Sequence, residues 1–365
     1  MPDKIRVGIL CGGRSGEHEV SLQSARSILE AINREKYDVA LIGIDKKGVW
    51  SLYDPLNFLV DPHDPEKIRL SDKSESLALV PGESRHLTAG PENKKTLGVV
   101  DVIFPVLHGP YGEDGTVQGL LKMADIPFVG AGVLGSALGM DKEVAKRLMR
   151  EAGLTTAKFE TLSRHQLKNI SFEEIINRIG FPCFVKPANL GSSVGINKAY
   201  DREGLERACK EAFQFDHKII IEEFIKGREI ECAVLGNEDP RASVCGEIIP
   251  QHDFYSYEAK YIDENGAILS IPADISGSVA EEIQRLAIEV FKVTCCEGMA
   301  RVDFFLTDTN QIYINEINTI PGFTRISMYP RLWEASGLSY SELISRLIQL
   351  SIERHERDTE LKTSL

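Results

Sequence analysis

Polar and apolar positions alternate in blocks along this chain, and the first blocks are the easiest to read. Ile5 to Leu10 has the content of a buried strand, Gly12-Gly13-Arg14-Ser15-Gly16 interrupts it, and Leu22, Ala25, Ile28, Leu29 and Ile32 then recur three and four residues apart. Val39 to Ile44 is a second strand-like run. Strand, glycine turn, helix and strand in that order predict a βαβ unit, hence a parallel sheet with a ligand crevice at the carboxyl ends of its strands. Residues 53–98 are polar and dotted with proline, which predicts a peripheral elaboration. Val99 to Val106 predicts a further buried strand running into His108-Gly109-Pro110-Tyr111-Gly112-Glu113-Asp114-Gly115, a second glycine-rich loop at a strand exit.

From Asp141 the pattern changes. A helix through Val144, Leu148 and Met149 precedes strand-like runs at Phe184–Lys186, Ile219–Glu222, Ile230–Leu235 and Val244–Ile249, with one helix near 203–213; this predicts a smaller α+β unit. A third block carries Val279, Ile283, Leu286, Ala287, Val290 and Phe291 on one helical face, a hairpin over 299–318, and C-terminal helices through Leu343, Ile344, Leu347 and Ile348. There is no internal repeat. The expected fold class is therefore α/β with α+β, a parallel-sheet, Rossmann-like N-terminal domain followed by further β-rich units.

Composition narrows the function more than the fold. The 365 residues include 42 basic and 55 acidic side chains, a formal charge of −13, with 42% apolar and 27% charged residues. That length suits about two to three domains. The acidic balance argues against nucleic acid or an anionic membrane surface as a partner, because both need positive fields. It leaves room for an anion held in a locally basic, glycine-rich cleft. The N-terminal residues lack the apolar core of a signal peptide, and the longest uncharged run, Ile126 to Met140, is shorter than the ~20 apolar residues a bilayer span needs. The seven cysteines are scattered without a Cys-x-x-Cys, as suits reduced thiols, so a cytoplasmic location is expected.

Three stretches carry candidate chemistry. If Thr309-Asn310 is centred in the turn of the 299–318 hairpin, Asp303 faces Glu316 and Arg301 faces Asn318. Two carboxylates held ~4.5–5.5 Å apart repel unless a positive charge lies between them. Mg²⁺ suits such hard oxygen donors, with the Asn carbonyl as a third; a solvated face with an Arg–Asp pair is the alternative. In Phe184-Val185-Lys186-Pro187 followed by Gly191-Ser192-Ser193-Val194-Gly195, a strand delivers a lysine to a loop whose N–H groups and hydroxyls could cradle phosphate, or that simply turns the chain. No Gly-Lys-Ser/Thr occurs, so this is not a Walker A loop. Third, Ile221-Glu222-Glu223-Phe224-Ile225-Lys226-Gly227-Arg228-Glu229 could clamp a nucleotide or be a charged strand end. Gly130-Ala131-Gly132-Val133-Leu134-Gly135 matches a dinucleotide fingerprint, but 142–152 reads as helix where a second strand is needed, which makes it a domain-joining turn.

Taken in order, Gly12-Gly13-Arg14-Ser15-Gly16-Glu17-His18-Glu19-Val20-Ser21, His108-Gly109 with Gly112–Gly115, Lys186-Pro187 with Gly191–Gly195, Tyr257-Glu258-Ala259-Lys260-Tyr261, Arg301-Val302-Asp303 and Asn315-Glu316-Ile317-Asn318-Thr319-Ile320-Pro321-Gly322 closely resemble the D-alanine–D-alanine ligase family of the ATP-grasp superfamily. The resemblance runs from residue 5 to about 350. It implies an N-terminal pre-ATP-grasp domain over 1–138 and a two-part ATP-grasp fold over 139–226 and 227–365, the last with the metal site and a mobile loop. The activity implied is ATP-dependent formation of D-alanyl-D-alanine, through a D-alanyl phosphate, for peptidoglycan precursors.

The same resemblance implies roles. Lys142, Lys186 and Ser193 would contact phosphates. Glu222, Phe224, Ile225 and Glu229 would hold adenine and ribose, with Phe305 and Asn315 also at the nucleotide. Asp303, Glu316 and Asn318 would carry two Mg²⁺ or Mn²⁺ ions. Glu17, linked to Ser192 and Tyr261, would hold the first D-alanine, with His108 on the substrate side. Arg301, the Gly322 N–H, Ser327 and Met328 would bind the second D-alanine, and Lys260 would reach the transferred phosphate. Tyr261 resembles the dipeptide-forming class rather than D-lactate ligases. His18 stands where arginine is common, Glu223 where lysine is frequent, and the 53–98 segment is long. A homodimer is the implied assembly. Ligases that join D-lactate or D-serine, an NAD-binding oxidoreductase and a nonenzymatic nucleotide sensor are the alternatives.

Overall fold

The computed structural model describes residues 4–62, 64, 67–79, 86–89, 96–191, 194–250 and 267–362. The first unit contains β1 (Ile5–Gly12), α1 (His18–Ala31), β2 (Tyr37–Ile44), β3 (Trp50–Tyr53), β4 (Leu59–Val60), β5 (Arg69–Leu70), β6 (Glu75–Leu79), β7 (His86–Ala89), β8 (Thr96–Val99), β9 (Val102–Pro105), α2 (Thr116–Met123) and α3 (Val133–Met140). β1 pairs in parallel with β2 and with β9, as the βαβ pattern predicts. Gly12 closes β1 at φ +89°, where a Cβ would lie 2.2 Å from the Ile44 carbonyl oxygen, so only glycine turns the chain there.

The segment 53–98 is more than peripheral elaboration. Its strands β6, β7 and β8 extend the sheet to seven in the order β8-β7-β6-β3-β2-β1-β9, through antiparallel pairing. At four or five residues each, they are too short to show a clear two-residue alternation. The single strand expected from Val99 to Val106 is also two, because Asp101 intervenes: its carboxylate accepts from the Arg6 N–H at 2.7 Å. β8 and β9 lie at opposite ends of the strand order yet almost adjoin in sequence, so the sheet curls until its ends meet.

The central unit contains α4 (Lys142–Glu151), β10 (Phe159–Ser163), a 3₁₀ turn at Arg164–Asn169, α5 (Phe172–Ile179), β11 (Cys183–Pro187), β12 (Asn197–Ala199), α6 (Arg202–Ala212) and β13 (Lys218–Glu223). Its antiparallel sheet runs β10-β13-β11-β12, with α5 and α6 packed on Val185, Ile219 and Ile221. The last unit has β14 (Arg228–Gly236), β15 (Arg241–Pro250), β16 (Ala267–Ser270), α7 (Gly277–Val293), β17 (Gly298–Leu306), β18 (Ile312–Asn318), α8 (Met328–Ala335) and α9 (Tyr340–Thr359), with strand order β16-β15-β14-β17-β18. The runs at 230–235 and 244–249 thus share a sheet with the hairpin, the first pairing with β17 and the second with the first, rather than with the 184–222 strands.

Each face of this five-stranded sheet has its own core. One face packs on α4 and α7 through Met149, Ile283, Val290 and Phe291. The other is continuous with the first unit, where Phe323 meets Phe104 edge-on at 5.5 Å between ring centroids and α9 contributes Leu343, Ile344 and Leu347.

Candidate active site

The hairpin β17–β18 keeps the expected register where it matters. Arg301 faces Asn318 and Asp303 faces Glu316; a bulge beyond Asp303 then leaves Asn315 unopposed and shifts the remaining pairs by one, so the turn is not centred on Thr309-Asn310. β14 adds a third carboxylate, because Glu231 is the partner of Asp303 on the other side. Glu231, Asp303 and Glu316 therefore lie in one row across three strands, two positions from Arg301. Like charges side by side need compensation. Arg301 supplies part of it, with Nε and a terminal nitrogen donating to the two Asp303 oxygens at 2.7 and 2.8 Å and Nε also 2.9 Å from Glu231. The Asn318 amide donates to Asp303 at 3.0 Å, and the Lys142 ammonium is 3.6 Å from Glu316.

Lys142 is the first residue of α4. The Asp141 carboxylate caps this helix on the Val144 N–H and is held by Lys218 at 2.6 Å; the Lys142 ammonium donates to the Leu190 carbonyl at 2.6 Å. Lys142, Glu316 and Asn318 line a cleft together with Glu113, Met140 and Gly191. Burial and the nearby Glu17 push the Glu113 carboxyl up to about 8, despite the hydrogen bond it accepts from the Gly109 N–H at 2.7 Å. Glu17, at the N-terminus of α1, is itself buried. Its Oε2 lies 3.0 Å from where a Cβ on Gly109 would stand and 3.1 Å from one on Gly191. The two glycines make room for one carboxylate, and three loops far apart in sequence meet there. His108 is buried beside them, with Nδ1 3.1 Å from the Ile320 carbonyl oxygen, and burial lowers its pKa.

A second charged cluster lies under β11 and β13. The Lys186 ammonium is 2.5 Å from Glu222 and 3.5 Å from Asn315 Oδ1, while Lys146, on α4, reaches the other Glu222 oxygen at 2.9 Å. Burial alone would raise Glu222, but the two ammoniums outweigh it and bring its pKa down to about 2. One carboxylate cannot serve two buried cations equally. Burial lowers Lys146, whereas Lys186, which also faces Glu316, is raised in spite of its burial. The Glu222 carboxylate thus points into the protein. Glu223 turns the other way, accepting from the Lys158 N–H at 2.7 Å. Phe224 is half-exposed, 6.0 Å from Phe184 between centroids, with the Lys198 ammonium 3.8 Å over its ring. Ile225 follows it, and Glu229 pairs with Phe305 across β14 and β17.

At the other end Gly322 sits beside Ser327: a Cβ there would be 3.1 Å from Ser327 Oγ, which pairs with the Thr324 hydroxyl at 2.7 Å instead of capping α8. Met328 opens that helix with its side chain buried toward Gly246. Ser192, Ser193, Lys260 and Tyr261 lie outside the described residues, as does the whole of 252–266, where the mobile loop carrying Lys260 is expected. Among the described residues no three His, Cys, Asp or Glu side chains form a metal cluster; an oxygen set here must include Asn318. Glu231, Lys146 and the burial that raises the Glu113 carboxyl escape a sequence reading. Glu231 becomes visible only once β14 is paired with β17, and Lys146 once α4 is docked on the central sheet.

A curled, parallel-containing sheet joined to two antiparallel sheets, with Lys142 and Lys186 of the central unit beside Glu316 and Asn315 of the last, defines the ATP-grasp class of fold. Residues 6–131 match the family model described as D-ala D-ala ligase N-terminus, and 148–349 that of the D-ala D-ala ligase C-terminus. A D-alanine–D-alanine ligase of Shouchella clausii is 55% identical over 99% of this chain and 98% of its own, and D-alanine–D-alanine ligase A of Escherichia coli K12 is 54% identical over 100% of both. Among solved structures, the D-alanine–D-alanine ligase from Coxiella burnetii superposes with a TM-score of 0.86 at 39% identity, covering 98% of this chain and 96% of that one. VanG D-Ala:D-Ser ligase from Enterococcus faecalis gives 0.84 at 36% identity, over 96% and 100%. The chain belongs to the D-alanine–D-alanine ligase family.

Proposed function

We propose that this chain joins two molecules of D-alanine, with ATP cleaved to ADP and phosphate, and so supplies a dipeptide for peptidoglycan precursors. The observation that supports the reading is a cleft lined by Lys142, Glu316 and Asn318, with Asp303 and Arg301 next to Asn318 and Glu17 next to Gly191, in a chain more than half identical to ligases of that name.

A carboxylate is a poor acyl donor, and ATP-dependent phosphorylation turns it into a D-alanyl phosphate. Glu17 attracts the ammonium of the first D-alanine, with His108 beside it. Lys142 and Lys186 bring positive charge to the phosphates, and Glu222 fixes Lys186 from below, so its carboxylate serves the site through that lysine while the 222–225 backbone, Phe224, Ile225, Phe305 and Asn315 line the nucleotide end and Glu229 reaches the ribose. Asp303, Glu316 and Asn318 are hard oxygen donors in a like-charged row that demands a cation, a set that fits Mg²⁺ or Mn²⁺. Two such ions would neutralise charge on the phosphoryl group. Arg301 and the Gly322 N–H face the oxyanion formed when the second D-alanine's amine attacks the acyl phosphate. The Met328 N–H, at an uncapped helix start, suits that substrate's carboxylate. Ser192, Ser193, Lys260 and Tyr261 keep the roles that the family resemblance gives them.

We divide the chain at 138 and 226, and propose a homodimer in the cytoplasm; no described helix is long and apolar enough to cross a membrane. The test is incubation of the purified protein with Mg²⁺ and ATP. D-Alanine should trigger phosphate release and a dipeptide product by mass spectrometry, in preference to D-serine or D-lactate as the second substrate. No phosphate release with D-alanine overturns the reading.

A further inference from the structure

Glu231 has no part in the chemistry above, yet its side chain is only 5% exposed in mid-strand β14. An aliphatic residue there would fill the strand without the cost of burying a charge, which only a partner offsets. It also extends a like-charged row, standing opposite Asp303 as Asp303 stands opposite Glu316. With strands ~4.8 Å apart, Glu231 stands two strands from Glu316, at the far end of the row from Lys142.

The arrangement around Arg301 gives this carboxylate a purpose. Nε carries a single proton, which it donates to Asp303 Oδ1 at 2.7 Å, while Glu231 Oε2 stands 2.9 Å from the same nitrogen as an ion-pair partner that does not receive that proton. Asp303 receives a second N–H at 2.8 Å, so it is the stronger holder in this structure. Asp303 is also a proposed cation ligand, and oxygens given to a divalent ion are poorer acceptors for a guanidinium.

We propose that Glu231 is a positioning residue: it takes over the Arg301 Nε proton when Asp303 turns to a divalent cation, and so keeps the guanidinium aimed at the reacting carbonyl. The proposal rests on the ligase reading and deepens it. Without the Glu231 charge, Arg301 loses one of the two carboxylates beside its Nε. The guanidinium is then held more closely to Asp303, where it opposes the cation.

Glu231→Gln tests this, since it keeps the volume and removes the charge. The half-saturating Mg²⁺ concentration is expected to rise and kcat/KM for the second D-alanine to fall, each by about 10- to 100-fold as for other outer-sphere partners, with the KM for ATP within about twofold. Mn²⁺ binding in the presence of ADP, followed by electron paramagnetic resonance without turnover, should weaken by the same factor as the Mg²⁺ shift. Glu231→Asp should recover part of both losses. Glu231→Met, uncharged and of similar length, repeats the test if the glutamine variant fails to fold. Unchanged metal affinity and D-alanine kinetics overturn the proposal, and so do losses that fall equally on ATP and D-alanine. Wild-type protein run alongside separates the two readings: if it turns over D-alanine and the variant matches it, only the role of Glu231 fails.

Discussion

Two buried lysines on one carboxylate are an expensive arrangement, and at the scale of single residues the clusters around Glu222 and Glu113 make opposite predictions about pH. Glu222 has a folded pKa of about 2, below the ~4.3 of an unfolded glutamate, so its contribution to stability is present above that value and is lost as pH falls from ~4.3 toward 2. Urea denaturation across this range should show a steep loss in wild type and a shallower one in Glu222→Gln, which is also the less stable protein at pH 7 because it strands two ammoniums. Glu113 works the other way. Its folded pKa of about 8 lies above the unfolded one, so its contribution is complete below ~4.3 and declines as pH rises to about 8. Glu113→Gln should therefore gain melting temperature relative to wild type as pH is raised from 6 to 8.5, measured by scanning calorimetry without ligands. Lys186 is legible in sequence because a strand delivers it to a glycine-rich loop. Lys146 is not, since a lysine among Val144, Leu148 and Met149 reads as the polar side of a helix; the structure buries Ala145, Lys146 and Met149 instead.

At the scale of elements, the start of α4 and the bulge of the last hairpin aim side chains at the cleft. Asp141 both caps α4 and pairs with Lys218, and Lys142 follows it directly. Asp141→Ala should cost about 1–2 kcal/mol of stability by chemical denaturation, with a several-fold rise in the KM for ATP because the helix start that aims Lys142 frays. The hairpin register at Asp303 and Glu316 follows from two-residue periodicity and a turn rich in Thr, Asp and Asn. The bulge that leaves Asn315 unopposed does not, since nothing in Ile312–Asn318 marks an extra residue. The double variant Asp303→Asn with Glu316→Gln should fold, because it relieves repulsion in the row, and should lose phosphate release by at least ~100-fold; undiminished release would refute the cation assignment. Strands β6 to β8 are hard to read in the sequence because each is only four or five residues long.

For the whole molecule, the decisive contacts join units that sequence shows only separately. Arg354, buried near the end of α9, donates to the Gly130 and Phe128 carbonyls at 2.5 and 2.6 Å and stacks on the Phe128 ring at 4.5 Å, tying the last helix to the turn that ends the first unit. Arg354→Met leaves two buried acceptors and should cost about 2–4 kcal/mol in urea, with faster proteolysis near Gly130 as the local sign. That contact also explains why Gly130–Gly135 reads like a nucleotide loop but serves as a joint: Gly135 packs where a Cβ would strike the Cys295 carbonyl oxygen at 2.5 Å. Sedimentation should find a dimer if the proposed assembly is right. By itself the sequence determined the periodicities of the helices and main strands, the acidic balance, and the ordered glycine, lysine and carboxylate motifs from which the family can be read, because these depend on neighbours within a few residues. Tertiary structure decided which carboxylates share Arg301, that Glu222 faces inward between Lys146 and Lys186, and that Glu17 meets Gly109 and Gly191. Those depend on pairing between strands and loops up to some two hundred residues apart, where burial and charge compensation, absent from any local window, select the partner.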